Sequence, residues 1–281
     1  MTTSHSFKRV WLITGASRGI GARITAAALA NGDAVVATAR DAKTVIQRFG
    51  DQPGLLAVTL DVTDEAQGIA VANTAIEHFG RIDVLVNNAG YGLLGAVEEA
   101  SADEVQRLYE TNVFGLLNVT RAVLPHMRAA RNGHVINLSS VGGYASGPGF
   151  GVYCSTKFAV EGLSEALHAE LAPLGIKVTV VEPGYFRTEF LEGNSLVESP
   201  SSIGDYDGTA GQVRQIAKAV TLNQPGDPDK LAQTMITLVE SQNAPLRLPL
   251  GSDCVAAIEA KNTFVAAELQ AWREVSVSTD F

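Results

Sequence analysis

Val10-Trp11-Leu12-Ile13-Thr14-Gly15-Ala16-Ser17-Arg18-Gly19-Ile20-Gly21 joins a short apolar run, a glycine-studded turn and the start of a helix-patterned segment. An apolar stretch of this length, without alternation, is the pattern of a strand covered on both faces. Glycines where such a strand turns into a helix permit a tight bend and a close backbone approach to phosphate. The phosphate then meets free N–H groups and the positive end of the helix dipole. The spacing here is Gly-x-x-x-Gly-x-Gly, which departs from the Gly-x-Gly-x-x-Gly fingerprint, but the strand, turn and helix context is that of a dinucleotide site. A turn shaped by its glycines alone is the plain alternative.

The same rhythm continues along the chain. Strands are expected at Val10–Thr14, Ala34–Arg40, Leu55–Leu60, Val84–Asn87, His134–Leu138, Lys177–Glu182 and Arg247–Leu250. Helices are expected at Ile20–Ala30, Asp64–Phe79, Ala102–Ala130, Val152–Leu171 and Pro228–Glu240. Alternation of this kind predicts an α/β fold with a doubly wound, seven-stranded parallel sheet, Rossmann-like, with helices on both faces. Ser101 with Glu104 reads as a capping box, and Asp227 before Pro228 as an N-cap followed by proline. We read residues 1–281 as a single dinucleotide-binding catalytic domain. From Gly184 to about Ala210 the rhythm breaks, with Gly, Ser, Pro, Asn and Asp among isolated apolar groups (Tyr185, Phe186, Phe190, Leu191, Leu196), ahead of a helix near Gln212–Leu222. A long segment of that kind is either a functional lid or a disordered spacer, and its apolar groups favour a substrate lid over about 184–225. Residues 252–281 form a helical extension that caps the domain or meets another subunit.

Composition narrows the function. The 281 residues carry a net charge of −9 and no block of like charge, which speaks against phosphate-neutralising contacts with nucleic acid. No run approaches the roughly 18 apolar residues of a membrane span. Met1 to Arg9 is polar and lacks a cleavable apolar region. Cys154 and Cys254 are far apart, as expected of reduced thiols in a cytoplasmic protein. His5, His78, His126, His134 and His168 are scattered without metal-ligand spacing, so no metal site is expected.

The end of the second expected strand bears on the nucleotide. An acidic residue there suits the ribose 2′-OH of NAD, whereas an arginine suits the 2′-phosphate of NADP. This strand closes Ala37-Thr38-Ala39-Arg40 with Asp41 following, and Arg18 in the glycine turn can reach the same pocket. NADP(H) is expected in preference to NAD(H), the alternative being an Arg40–Asp41 pair on the surface. Further on, Tyr153 and Lys157 stand four apart at the head of a helix-patterned run, hence on one face. A nearby ammonium favours the phenolate and brings a tyrosine closer to the range of acid–base work. Taken alone, the pair also suits an ordinary helix with a solvated lysine.

Taken together, these stretches resemble the short-chain dehydrogenase/reductase family in its single-domain form. The likeness rests on Thr14–Gly21, Asn87-Asn88-Ala89-Gly90, Ser139-Ser140, Tyr153 with Lys157, and Pro183-Gly184, in order and at family-like spacing from Arg9 to Gly184. It implies that Tyr153 moves a proton to or from the substrate oxygen and that Lys157 depresses the tyrosine pKa and bonds the nicotinamide ribose. It further implies that Ser140 bonds the substrate oxygen and that Asn112 holds a water leading from Lys157. Without the resemblance, Asn112 reads as a polar residue on an exposed helix face. For the cofactor it implies Gly15, Ser17, Arg18, Gly19, Ile20 and Gly21 at the phosphates, and Arg40 at the 2′-phosphate. Asp61 would meet the adenine, Asn88 the adenosine ribose and ring edge, and Thr188 the nicotinamide carboxamide, with Ala89, Gly90, Pro183 and Gly184 also at the cofactor. Asn87 would tie strands together, and Ser139 would be structural. The implied activity is hydride transfer between NADP(H) and a medium-sized, apolar ketone or secondary alcohol, in a homodimer or homotetramer. Ser146, Pro148 and Phe150 would line the substrate pocket. A catalytically silent dinucleotide-binding sensor on the same fold is the rival reading.

Overall fold

Strands buried on both faces need apolar side chains pointing both ways, and the computed structural model, which describes residues 7–191, 195–220 and 223–281, shows how they are used. Seven strands form one parallel sheet: β1 (Val10–Ile13), β2 (Ala34–Ala39), β3 (Leu55–Thr59), β4 (Val84–Asn87), β6 (Gly133–Leu138), β7 (Ile176–Pro183) and β9 (Arg247–Leu250). They are arranged β3-β2-β1-β4-β6-β7-β9. Trp11, Ile13, Val35, Ala37, Val84 and Val86 point to one side, against Ile24 and Ala28 of α1 (Gly19–Ala30) and Leu231 and Met235 of α8 (Pro228–Glu240). Leu12, Val36, Leu85 and Val135 point to the other. There they meet Val71 and Ala75 of α3 (Glu65–Phe79) and Val119, Val123 and Met127 of α5 (Gly115–Ala130). The doubly wound α/β arrangement expected from the sequence is the one observed.

Several details differ from expectation. An additional helix, α2 (Ala42–Phe49), follows β2, and Asp41 caps it by accepting from Lys43 N at 3.0 Å. Asp41 is thus engaged on the backbone, and no Arg40–Asp41 ion pair forms among the described residues. The expected single helix Ala102–Ala130 is α4 (Ala102–Tyr109), a π-helical turn at Glu110–Phe114, and α5. Backbone angles stay helical through both junctions, so the rod is continuous and carries a widened turn around Asn112. The other strand and helix ends shift by a residue or so, as helix and strand ends do. The helix bearing Tyr153 is α6 (Gly151–Leu171).

Part of the 184–225 segment is organised by pairing. β5 (Gly92–Leu94) and β8 (Leu196–Glu198) form a two-stranded parallel sheet, followed by short turns and α7 (Gln212–Val220). The end of the expected Gln212–Leu222 helix lies outside the described residues, as do residues 192–194 of the lid segment and the first six residues of the chain, His5 among them. The anchor is Glu99, whose side chain is buried. Its carboxylate accepts from Ala96 N at 2.7 Å and Ile203 N at 2.8 Å and pairs with Arg214 of α7 at 2.5 Å. These bonds, led by that to Arg214, bring the Glu99 pKa from 4.5 to about 2. Beyond the sheet, α9 (Ser252–Val277) begins buried at Cys254 and then leaves the body, with Phe264, Leu269 and Trp272 exposed along it.

A carboxylate with a lowered folded-state pKa contributes stability above its unfolded value, and that contribution is lost as pH falls toward the folded one. Glu99→Gln leaves the buried Arg214 with only the part-exposed Glu198 as counterion and should lower the melting temperature by several degrees at pH 7. The gap from wild type should narrow between pH 4.5 and about 2. Calorimetry across that window tests this, and a pH-independent gap would place the effect elsewhere.

Candidate active site

The strands' C-terminal ends open into a cleft of about 1480 Å³. Every site residue expected from the sequence lines it except Gly21 and Asn112, which stand just behind. At its first wall β1 ends and the chain turns into α1. The first helical bond runs from Ala22 N to Arg18 O, so the N–H groups of the preceding turn have no helical acceptor. Gly15 adopts a φ of +64°, which side chains resist. Gly21 has no room for a Cβ against the Gly15 carbonyl and the Asn88 amide. A turn that brings bare backbone to the cleft in this way fits a dinucleotide phosphate.

The turn is held from β4. Asn88 Nδ2 donates to Thr14 O at 2.8 Å and to Gly15 O at 3.0 Å. Thr14 Oγ1 in return accepts from Asn88 N and Ala89 N, both at 2.9 Å. The amide expected along the adenosine ribose is therefore engaged in bracing the turn, although Asn88 still lines the cleft. Thr14 went unassigned in the sequence; its signal was a hydroxyl residue placed directly before the first glycine. Asn87 sits in the sheet as expected of a strand tie, donating to Asn137 Oδ1 at 2.9 Å and Thr120 Oγ1 at 2.8 Å.

Arg18 and Arg40 are both exposed on the cleft rim, and neither forms an ion pair among the described residues. Asp61 accepts from Thr63 N at 3.0 Å and Thr63 Oγ1 at 2.7 Å, which fixes it at the end of β3. At the opposite end, Thr188 is buried and accepts from Phe190 N at 3.3 Å. Asp253 at the start of α9 accepts from Tyr185 N at 2.7 Å and packs where a Cβ on Gly184 would stand. The C-terminal extension thereby shapes the turn after Pro183, a contact the sequence did not suggest.

In the middle of the cleft, α6 presents Tyr153 and Lys157, both buried. The tyrosine ring lies 6.1 Å from Phe150 and 6.0 Å from Phe190, centre to centre, on an apolar wall. Burial raises its pKa above the ordinary phenol range, with a hydrogen bond from Ser140 acting against that rise. The lysine effect expected from the sequence is thus not the governing one here. Lys157 Nζ lies 5.9 Å from the ring centre and donates to Leu138 O at 2.7 Å. Burial lowers the lysine pKa to about 8, with Glu161 opposing. Ser140 caps the short turn after β6 and accepts from Gly142 N at 3.1 Å. Asn112 is buried, contrary to a place on an exposed helix face. Its amide bonds Tyr91 N at 3.0 Å, Tyr91 O at 2.9 Å and Thr156 Oγ1 at 3.1 Å. The π turn thus lets one side chain clamp the loop after Gly90 onto α6. A weakly acidic hydroxyl, a second hydroxyl and a buried cation meet beside a phosphate-fitting turn, which suits proton transfer next to a nucleotide.

The chain is similar to known proteins over most of its length. A family model described as short chain dehydrogenase matches residues 9–197. The chain is 37% identical over 274 residues to oxidoreductase BOA17 of Botryotinia fuckeliana, covering 96% of this chain and 99% of that protein. A short-chain dehydrogenase crystal structure from Streptomyces avermitilis matches with a TM-score of 0.89 at 42% identity, covering 97% of this chain and 100% of that one. ElxO with NADP bound matches at 0.74 and 28% identity, over 89% of this chain and 100% of that one. Among the described residues no helix is long and apolar enough to cross a membrane.

Asn88→Ala removes two bonds to the glycine turn, each contributing about 1 kcal/mol. Dinucleotide affinity measured by titration calorimetry should fall roughly tenfold or more. An unchanged dissociation constant would mean that the turn keeps its shape without the amide.

Proposed function

Since the chain belongs to the short-chain dehydrogenase family, and is an oxidoreductase acting on CH–OH or C=O groups with a nicotinamide dinucleotide, we propose that it is an NADP(H)-dependent reductase of medium-sized, apolar ketones. The observation that carries the proposal is the meeting of Tyr153, Ser140 and Lys157 in the cleft that the glycine turn also lines. The cofactor supplies the hydride. The turn from Gly15 to Gly21 would hold its phosphates, and Asp61 and Thr188 would stand at its two ends.

The chain's own residues then divide the remaining work. Tyr153 is kept protonated by burial, the state needed to deliver a proton from its hydroxyl to a carbonyl oxygen. Ser140 donates to the same oxygen as negative charge gathers there. Lys157 offsets the charge left on the phenol, with its other side fixed to Leu138 O. Asn112 holds α6 and the loop after Gly90 in register. Phe150, Phe190 and Leu93 pack around Tyr153 and offer an apolar bed for the substrate body.

Preference for the phosphorylated dinucleotide is supported by Arg40 and Arg18 on the rim and by the engagement of Asp41 as a helix cap. An NAD-type site would use an acid at this strand end on the ribose. Arg40→Asp should weaken NADPH binding by roughly ten- to hundredfold, from the loss of charge-assisted bonds of about 1.5–3 kcal/mol, and should favour NADH. Comparing the two dissociation constants tests it, and an unmoved ratio would show that the arginine does not read the phosphate.

NADPH oxidation over a panel of ketones, aldehydes and quinones tests the activity itself. Tyr153→Phe should lower turnover of any substrate found by about 10²–10⁴ while dinucleotide affinity stays near wild type. Retained turnover would remove the tyrosine from proton transfer. Tight NADPH binding with no turnover by wild type on any substrate would favour the sensor reading.

A further inference from the structure

Behind Lys157 lies a charged cluster with no part in the chemistry described above. Glu161 stands one helical turn further along α6, Glu182 near the end of β7, and Arg247 at the start of β9. Both acids are buried, Glu182 completely. Arg247 Nε lies 3.2 Å from Glu161 Oε2 and 3.3 Å from Glu182 Oε1, while its Nη2 bonds Glu165 Oε1 at 2.6 Å. None of the four carboxyl oxygens of Glu161 and Glu182 accepts a well-formed hydrogen bond. The two carboxyl groups thus crowd a single guanidinium nitrogen, each within 3.3 Å of it.

Two adjacent buried carboxylates cannot both remain ionised beside one guanidinium that also serves a third acid. A single proton between them resolves the arrangement, because it turns one repulsive contact into a charge-assisted hydrogen bond. We propose that Glu161 and Glu182 share one proton and act together as a positioning pair that sets the charge of Lys157. This role rests on the reading of Lys157 given above.

The groups facing the pair are few. On α6 they are Lys157 and Glu165, and Glu161 is the charge that opposes the fall of the lysine pKa. From just past the end of β6 comes the buried Ser139 hydroxyl, which faces Glu161 and acts against the rise of its pKa. Tyr144 faces the guanidinium, its ring centre 5.9 Å from Arg247 Cζ. From α9 come Asp253 and Cys254, whose thiol donates to Glu182 O at 3.0 Å. Burial raises the pKa of both acids, and in Glu182 the charge of Glu161 adds to the rise. Arg247 is thus the one cation facing the pair besides Lys157 among the described residues. The negative charge left after sharing is divided between Glu161, near the lysine, and Glu182, further away.

That division predicts opposite effects for two near-isosteric substitutions. Glu161→Gln moves the remaining charge to Glu182, so Lys157 loses its proton more easily and the basic limb of the kcat/KM profile shifts to lower pH. Glu182→Gln leaves the full charge on Glu161, and the limb shifts to higher pH. Each shift is expected to be about half a unit or more. Infrared spectroscopy with ¹³C-labelled glutamate supplies a readout independent of turnover and of the variants' folding. The wild type should show a protonated buried carboxyl at neutral pH, and this band should be absent from each folded variant. Wild type lacking the band overturns the shared proton. The band present with unmoved limbs, or limbs moving the same way, overturns the positioning role. The band present in a protein that reduces no ketone overturns the role and the proposed function but leaves the shared proton standing.

Discussion

The bond from Lys157 Nζ to the carbonyl of Leu138 joins a buried ammonium on α6 to the last residue of β6. An unpaired charge in such a place is costly, so the helix is held where that carbonyl can meet it. Ser139 and Ser140 follow Leu138 directly, and Tyr153 precedes Lys157 by one turn. One hydrogen bond therefore sets the spacing between the two hydroxyl groups in the cleft. It also fixes the depth of the lysine, which brings the pKa down to about 8.

Other polar braces extend the same principle across the sheet. Asn87 bonds Asn137, and Asn137 bonds Ser164 of α6 at 2.9 Å, so β4, β6 and the helix carrying Tyr153 are tied through a buried amide chain. Asn88 and Thr14 tie β4 to the glycine turn, and Asn112 ties the loop beyond it to α6. Apolar burial holds the layers together without fixing them along their length, because it has no direction. These amides supply the direction, and they do so at the strand ends where the cleft opens.

The contrast explains what the sequence disclosed. The seven strands of the main sheet were legible because each is a short, mostly apolar run between helix-patterned stretches, a pattern that local composition records. The glycine turn and the Tyr153–Lys157 spacing were legible because each function lies within a few consecutive residues. Helix α2 leaves little trace in the sequence because it has only eight residues, and its cap, Asp41, reads equally well as a partner for Arg40. The π turn at Glu110–Phe114 hid inside a helical pattern, since one widened turn barely disturbs the apolar spacing. Asn88 and Asn112 were recognised as residues of interest, but a side-chain amide's partners depend on chains folded against it. Glu161, Glu182 and Arg247 come from one helix and two strands, so no local reading could bring them together.

The same distinction locates substrate choice. The wall that meets the nucleotide comes from β1 to β4 and their turns, rigid elements whose chemistry is written locally. The wall around Tyr153 draws on Phe190 and Val213 from the 184–225 segment and on Asp253 and Ala257 from α9. Those pieces are fastened by long-range pairs, Glu99 with Arg214 and Asp253 with Tyr185 N, whose partners are 115 and 68 residues apart. A change in the 184–225 segment or in α9 can therefore reshape the cleft wall around Tyr153 while Lys157 and Tyr153 stay anchored through Leu138. The proposed proton-transfer groups and the proposed substrate wall are in this way held by separate sets of contacts.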